Sequence, residues 1–295
     1  MKNYSARGRG LSISSLFTHS LCCGLEECRQ LRWLSCRYIC LNKMKLYFYI
    51  LLSLIFLLSC NSQNFKPASG PAPHSTTTAV DKSTAGAISG TISFHGTAPR
   101  LTALDMSQDP GCPSGPQQSD AVVVKNGKLG NVFIYVKEGL SEASFSASPE
   151  PVIVDQKGCR YIPHVLGIMA GQLLKVLNND NAEHNVHPMP RNNDEWNESQ
   201  VPRGRPITKT FRQPEIMMPV QCNQHPWMKM YVNVLPHPYF AVSGDDGTFQ
   251  IKDLPPGEYT LAAIHEKFGE QTVKVKVDAK QTATADFSFA AAKTP

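Results

Sequence analysis

The sequence predicts an all-β protein, on three observations. Short runs of about four to eight β-type residues recur along the chain, turn pairs such as Asp246-Gly247 and Pro256-Gly257 separate them, and no long stretch shows 3.6-residue periodicity. In order the runs are "AISGTISF", "NVFIYVK", "PVIVD", "QLLKVLN", "YVNVL", "YFAVS", "GTFQI", "EYTLAAI", "TVKVKVD" and "TADFSF", each alternating or β-branched in composition. Such a pattern suits sandwiches.

The N-terminal part precedes all of these runs. From Met44 the chain reads "MKLYFYILLSLIFLLSC", one Lys and an apolar run ending in Leu57-Leu58-Ser59-Cys60. This resembles a bacterial lipoprotein signal peptide (44–59), which implies cleavage before Cys60 and lipidation of that cysteine. A transmembrane anchor is the alternative, but the run from Leu46 to Leu58 is shorter than the roughly 20 residues that span a bilayer. Asn61 favours the outer membrane under the enterobacterial sorting rule. A signal peptide works only at an N-terminus, so residues 1–43 read as a mis-annotated leader with translation starting at Met44. The five cysteines there (Cys22, Cys23, Cys28, Cys36, Cys40) match no paired-CxxC metal pattern. Residues 60–85, rich in Ser, Thr, Pro and Ala, cannot bury a core and read as a tether from the lipid.

Charge follows the same division. The whole chain carries 29 Lys+Arg and 24 Asp+Glu, a formal net charge of +5, but 8 of the basic and 2 of the acidic residues precede Cys60. The remainder holds 21 basic and 22 acidic residues, so the basic balance belongs to the leader and gives no support to nucleic-acid binding.

One cluster carries chemistry. "QCNQHPWMKM" places Cys222, His225, Met228 and Met230 on one short stretch, and "NNDNAEHNVH" places His184 after a β-type run. A thiolate, two imidazoles and a weak thioether are the donors of a mononuclear blue-copper site. The spacing resembles the cupredoxins, the blue-copper electron carriers related to plastocyanin and pseudoazurin. That resemblance implies a Greek-key β-sandwich spanning 149–236, copper held by His184, Cys222, His225 and an axial methionine, and Asn185 pinning the ligand loop. It also implies a surface-facing His225 and one-electron transfer or copper handling. Met230 fits the plastocyanin spacing and Met228 the spacing of the related dinuclear copper domain, whose second loop cysteine is missing here. The His-Pro-Trp-Met tetrad resembles the signature of lipoproteins and periplasmic proteins that join a cupredoxin to a regulatory-like sandwich, and that resemblance implies Met228. Other readings stay open: a copper-free relic, another metal, or Cys222 as a disulfide partner.

His187, three residues past His184, points to the opposite face of an extended strand and is not expected to be a ligand. His164 reads as a partly buried strand residue, Trp227 and Tyr231 as packing around the loop, and Glu266 beside His265 as a surface pair. With Cys60 lipidated and Cys222 on copper, Cys112 and Cys159 remain to pair, as an oxidising compartment permits.

Residues 244–276, with "LPPGEYTL", resemble the carboxypeptidase regulatory-like (transthyretin-type) domain, and "ISGTISFHGTAP" and "NVFIYVKEG" look like its opening strands. The resemblance implies a smaller, discontinuous second sandwich of 86–148 and 237–289 with 149–236 inserted. One large cupredoxin over 86–236 followed by a small β-domain is the alternative. No nucleophilic triad, carboxylate pair or phosphate loop stands out, so a non-enzyme is expected, facing the periplasm or on the outer membrane with an unidentified redox or surface protein partner. A copper-free, surface-tethered module binding a protein or glycan is the rival.

Overall fold

The computed structural model describes residues 81–101, 103–141 and 145–291. The expected leader, signal peptide, lipidated Cys60 and most of the tether lie outside the described residues. Among the described residues there is no helix, and nineteen strands form four sheets. No helix there is long and apolar enough to cross a membrane.

Two of the sheets are built from residues 152–235. One runs Glu198–Gln200, His184–Pro188, Glu215–Gln221, Lys229–Leu235, Val165–Met169; the other runs Ile207–Thr210, Leu173–Asn178, Val152–Gln156, Tyr161–Ile162. Their inward side chains, among them Val154, Leu166, Ile168, Val176, Phe211, Met218 and Val232, share one buried core. Leu173–Asn178 has the burial alternation of a strand with one wet face, Leu174, Val176 and Asn178 pointing in.

The other two sheets draw strands from both sides of that segment. Gly86–His95 pairs antiparallel with Thr248–Leu254 and parallel with Thr282–Thr284 and Phe287–Ala290. Phe133–Glu138 lies between Phe240–Val242 and Gly257–His265, with Gly269–Val277 at the edge. A second core, including Ile88, Ile92, Leu129, Val136, Leu254, Leu261 and Phe289, fills the space between them. The sequence of 133–136 shows why this strand is central: four consecutive apolar residues, all buried, are needed when both faces of a strand are covered. Ile134 and Val136 face their own core, whereas Phe133 and Tyr135 join Val165, Leu235 and Ala262 in a third apolar cluster that seams the two sandwiches. Gly167 permits the seam, because a Cβ there would lie 2.4 Å from the Phe240 ring and 2.9 Å from that of Phe133.

One stretch departs from the expected division. Residues 104–117 do not stay with the flanking sandwich; Met106 and Cys112 are buried in the 152–235 core, and Leu104 packs against it. This stretch is nearly strandless, with a single bridge between Leu104 and Gln117. Its few apolar side chains and the Cys112–Cys159 disulfide hold it down as a strap over the neighbouring sandwich.

Candidate metal centre

Strand register brings the donors together. Glu215–Gln221 lies between His184–Pro188 and Lys229–Leu235, with Gln221 opposite both His187 and Lys229. The next rung of the second ladder is Cys222 opposite Met228, closed by Cys222 N donating to the Met228 carbonyl at 3.1 Å. Met228 N donates to the His225 carbonyl at 2.8 Å, so the loop from 222 to 228 folds back tightly and carries the His225 side chain inward. His184 begins the adjacent strand at the same end.

The result is a buried cup of three donors. His184 is 0 %, Cys222 2 % and His225 3 % exposed, and their ligand atoms lie within 4.8 Å of one another. The two Nδ1 atoms are 3.0 Å apart, and His225 Nδ1 lies 3.7 Å from Cys222 Sγ. Ions of this class sit about 2.0 Å from imidazole nitrogen and about 2.3 Å from thiolate, which puts donors sharing one ion roughly 3–4 Å apart. The donor set fits a single soft or borderline ion.

The far side of each ring is also engaged. His184 Nε2 donates to Asp180 Oδ2 at 2.9 Å and His225 Nε2 to Asp109 Oδ2 at 3.0 Å. A proton on each Nε2 leaves both Nδ1 atoms free to present lone pairs, the carboxylate–histidine arrangement that orients metal ligands. Asp180 is itself fixed by Gly158 N and Cys159 N, at 2.6 and 2.8 Å, and Asp109 by Gly111 N at 2.8 Å. Asn185 ties the two ligand segments together: its backbone N–H donates to Cys222 Sγ at 3.5 Å, and its Oδ1 accepts from Asn223 N at 2.7 Å. Trp227 lies against the His225 ring, centroids 5.1 Å apart, and its indole N–H donates to the Cys159 carbonyl.

Electrostatics follow from this packing. Burial alone would raise the Cys222 thiol, but the His184 imidazole and the N–H groups of Asn185, His225 and Gln224 bring it down to about 6. Burial would lower His184, yet Asp180 and the Cys222 sulfur outweigh it and lift the imidazole to about 9. Burial pushes Asp180 up, while His184 and the two backbone donors hold it below the ordinary carboxylate range. At neutral pH the metal-free cup therefore favours a Cys222 thiolate beside a protonated His184, and the Nδ1 atoms are free to present lone pairs to an ion only once that proton has left.

Both candidate methionines are buried, Met228 at 1 % and Met230 at 2 %. Met228 is directly cross-strand from Cys222, whereas Met230 pairs with Val220, one inward-facing position further along. Direct cross-strand partners have Cβ atoms about 5 Å apart and diagonal ones about 7–8 Å. Register thus favours Met228.

Three expectations need correction. His225 is not surface-facing, because the 104–117 strap places Asp109 and the disulfide over its outer nitrogen, with Cys112 Sγ 3.8 Å away. His164 sits in the turn between Tyr161–Ile162 and Val165–Met169 rather than in a strand, bonded to Glu266 Oε1 at 2.6 Å and the Lys229 carbonyl at 3.0 Å. Glu266 and His265 are not a surface pair: the Glu266 side chain is 7 % exposed and accepts from Tyr231 as well, while His265 is 1 % exposed and stacks on Phe268. His187 points away from the cup, to Asn223 and Glu195. Asp180 had a local signal, four residues before His184, but Asp109 had none, since 116 residues separate it from His225.

A family model of the carboxypeptidase regulatory-like domain matches residues 229–290. No curated protein matches the chain. Among solved structures, the chain is similar to a Cu-containing nitrite reductase from Thermus scotoductus SA-01, at 22 % identity and a TM-score of 0.28, over 34 % of this chain and 26 % of that one. It thus spans about a quarter of that reductase. It is also similar to a purple cupredoxin from Nitrosopumilus maritimus, at 20 % identity and TM-score 0.24, covering 28 % of this chain and 97 % of that one. An amicyanin mutant in the Cu(I) form gives 20 % identity and TM-score 0.26 over 34 % of this chain and 97 % of its own. At these scores the functional case rests on the donors themselves.

Proposed function

We propose that the cup binds one copper ion and that the protein is a cupredoxin-like, lipid-anchored copper protein of the bacterial cell envelope, serving one-electron transfer or copper handling rather than catalysis. The observation that carries this reading is the convergence of Cys222 Sγ and the Nδ1 atoms of His184 and His225, with both outer nitrogens already committed to carboxylates. Bound there, copper would supply a one-electron couple.

The chain's own residues do the rest. Cys222 is ready as a thiolate near neutral pH, so binding requires the departure of little more than the His184 proton. Asp180 and Asp109 hold the imidazole planes, Asn185 holds the sulfur, and the strap excludes water from the outer side. A fixed donor set suits a couple whose two oxidation states share one geometry. Met228 is the axial donor in this reading, with Met230 packing behind it. Because His225 is covered, Trp227 supplies the contact to the surface: it touches His225 and also lines a 230 Å³ cavity with Pro226, Lys229 and Tyr231. In this reading a lipidated Cys60 and the tether would hold the domain at the membrane, with the protein partner unidentified and no nucleic acid involved.

Titration of the metal-free chain with Cu(II) tests the site. One equivalent should bind with intense visible colour from thiolate-to-copper charge transfer, and Cys222→Ser should abolish the colour. His184→Ala and His225→Ala should weaken binding strongly, and Met228→Leu should shift spectrum and potential where Met230→Leu does not. Unchanged colour and affinity in Cys222→Ser would overturn the assignment. Mass spectrometry of the mature N-terminus tests the anchor: a diacylglyceryl Cys60 is expected, and a native peptide from residues 1–43 would sink the Met44 start.

A further inference from the structure

A polar chain crosses the seam between the two sandwiches and ends at the methionine strand of the cup. Glu266 opens the turn between Gly257–His265 and Gly269–Val277, so it belongs to the flanking sandwich. Its carboxylate reaches into the other one: Oε1 lies 2.6 Å from His164 Nε2, and Oε2 accepts from the Tyr231 hydroxyl at 3.2 Å. The His164 and Glu266 side chains are 10 % and 7 % exposed. A carboxylate this far from water persists only where it is partnered. Burial pushes the Glu266 carboxyl up, but His164, Lys267 and Tyr231 outweigh it and hold it below the ordinary carboxylate range. Beyond Glu266 the chain continues into the backbone of the copper sandwich. Tyr231 opposite Val165 opens the parallel ladder between Lys229–Leu235 and Val165–Met169, with Tyr231 N donating to the His164 carbonyl at 2.9 Å. Past that end of the ladder, toward the cup, His164 Nδ1 donates to the Lys229 carbonyl at 3.0 Å. On the opposite side the Met228 carbonyl accepts from Cys222 N at 3.1 Å. Met228 and Lys229 are thus held between a ligand segment and the His164 ring.

We infer that Glu266 is a positioning residue through which the flanking sandwich sets the axial methionine: its carboxylate fixes the His164 ring, the ring fixes the Lys229 carbonyl, and that bond fixes the strand bearing Met228. The inference rests on the copper reading, with Met228 as axial donor. The other three donors are held by different contacts, His184 by Asp180, His225 by Asp109 and Cys222 by the Asn185 N–H. Glu266 therefore governs the placement of the fourth donor and leaves the uptake of the ion to the other three. The axial ligand of such a site tunes its redox potential, so a residue of one sandwich adjusts the couple held in the other without touching a ligand. Met228, Lys229, Tyr231, His164 and Glu266 all line the same 230 Å³ cavity, which keeps the whole chain within one small volume beside the cup.

The test compares Glu266→Ala, Glu266→Gln and Gly167→Ala in the full chain, by two readouts. In the metal-free protein, hydrogen exchange of the Tyr231 amide relative to that of Val234 reports the start of the strand against its middle. Glu266→Ala should speed this ratio about tenfold, the factor expected from losing one hydrogen bond to a charged group. Glu266→Gln should recover most of it, since the amide oxygen still accepts from His164. Gly167→Ala strains the seam without cutting the chain, so both amides should shift together. In the copper-loaded protein, Glu266→Ala should move the visible spectrum and the reduction potential at an unchanged stoichiometry of one, and Gly167→Ala should move neither. An unchanged exchange ratio in Glu266→Ala overturns the inference. So does a changed ratio with spectrum and potential unmoved. A native chain that takes up no copper overturns the copper reading instead, and the exchange ratio then decides by itself whether Glu266 holds the methionine strand.

Discussion

The two sandwiches solve the same packing problem and spend their interiors differently. Among the described residues, ten of the thirteen buried polar ones, from Gln156 to Asn233, lie in the 152–235 sandwich, whereas the other buries His237, Ser243 and His265. Most of the ten are fully partnered: Asn178 Nδ2 bonds the carbonyls of Ala182 and Gln200, and Gln200 bonds those of Val176 and Arg205. Buried polar groups cost about 1–3 kcal/mol each when left unpaired, so such a network has to be specific. It holds the 178–184 loop, and with it Asp180 and His184, in one conformation. The flanking sandwich has few such constraints and reads as an apolar scaffold that supports the site from outside.

Stability and metal binding should therefore separate along this division. The largest stability effect is expected from Leu261→Ala in the flanking core, where a fully buried side chain is truncated. Such changes cost about 2–5 kcal/mol. Denaturant unfolding should show that loss while Cu(II) stoichiometry stays at one. A copper site lost together with Leu261 would mean that the scaffold shapes the cup directly.

The bridge comes next, because it crosses the division. It closes a loop with a sequence separation of 47 and ties the strap to the site sandwich. Removing it in Cys112→Ala/Cys159→Ala should cost about 2–4 kcal/mol. It should also free Asp109 from His225, so copper should leave to a chelator faster. Non-reducing peptide mapping should recover Cys112 joined to Cys159 with Cys222 free. The seam ranks third. In Gly167→Ala the new methyl meets the Phe240 and Phe133 rings, and overpacking of this kind costs about 1–3 kcal/mol, with no change in visible spectrum.

These comparisons also show what the sequence could reveal. Strands such as Phe133–Glu138 were legible because consecutive apolar residues report burial on both faces, and the approach of Cys222 to His225 was legible because the two share one turn. His184 was legible through its neighbour Asn185 and the strand before it. Asp109 was not: nothing local distinguishes "SQDPGCP" from any turn, and only the disulfide and the tertiary fold bring it to His225. The cover over His225 was hidden for the same reason. The Glu266 cluster was misread because adjacent charged residues usually face water, whereas here the turn after Gly257–His265 is pressed into the seam against His164 and Tyr231.

The smallest effect, and the sharpest on the cup, is its pH dependence. His184 is raised to about 9 from 6.5, so its contribution to the stability of the metal-free protein is complete below pH 6.5 and is lost as pH rises through 9. Cys222 is depressed to about 6 from 9.0, so its contribution is present above pH 9 and is lost as pH falls through 6. Because the two charges stabilise each other, the metal-free fold should be most stable between about pH 6 and 9. Within that window the sulfur is already deprotonated, so of these two groups it is His184 that must give up its proton to a metal. Calorimetry of Cu(II) binding at pH 7.5, in buffers of different ionisation enthalpy, should therefore report release of about one proton, rising toward two below pH 6. His187→Ala should leave this number unchanged, since its ring bonds Asn223 and Glu195 outside the cup. If Cys222→Ser releases one proton fewer than the native chain at pH 7.5, Cys222 is a neutral thiol there, and the thiolate–imidazolium pairing that distinguishes this sandwich from its neighbour is wrong.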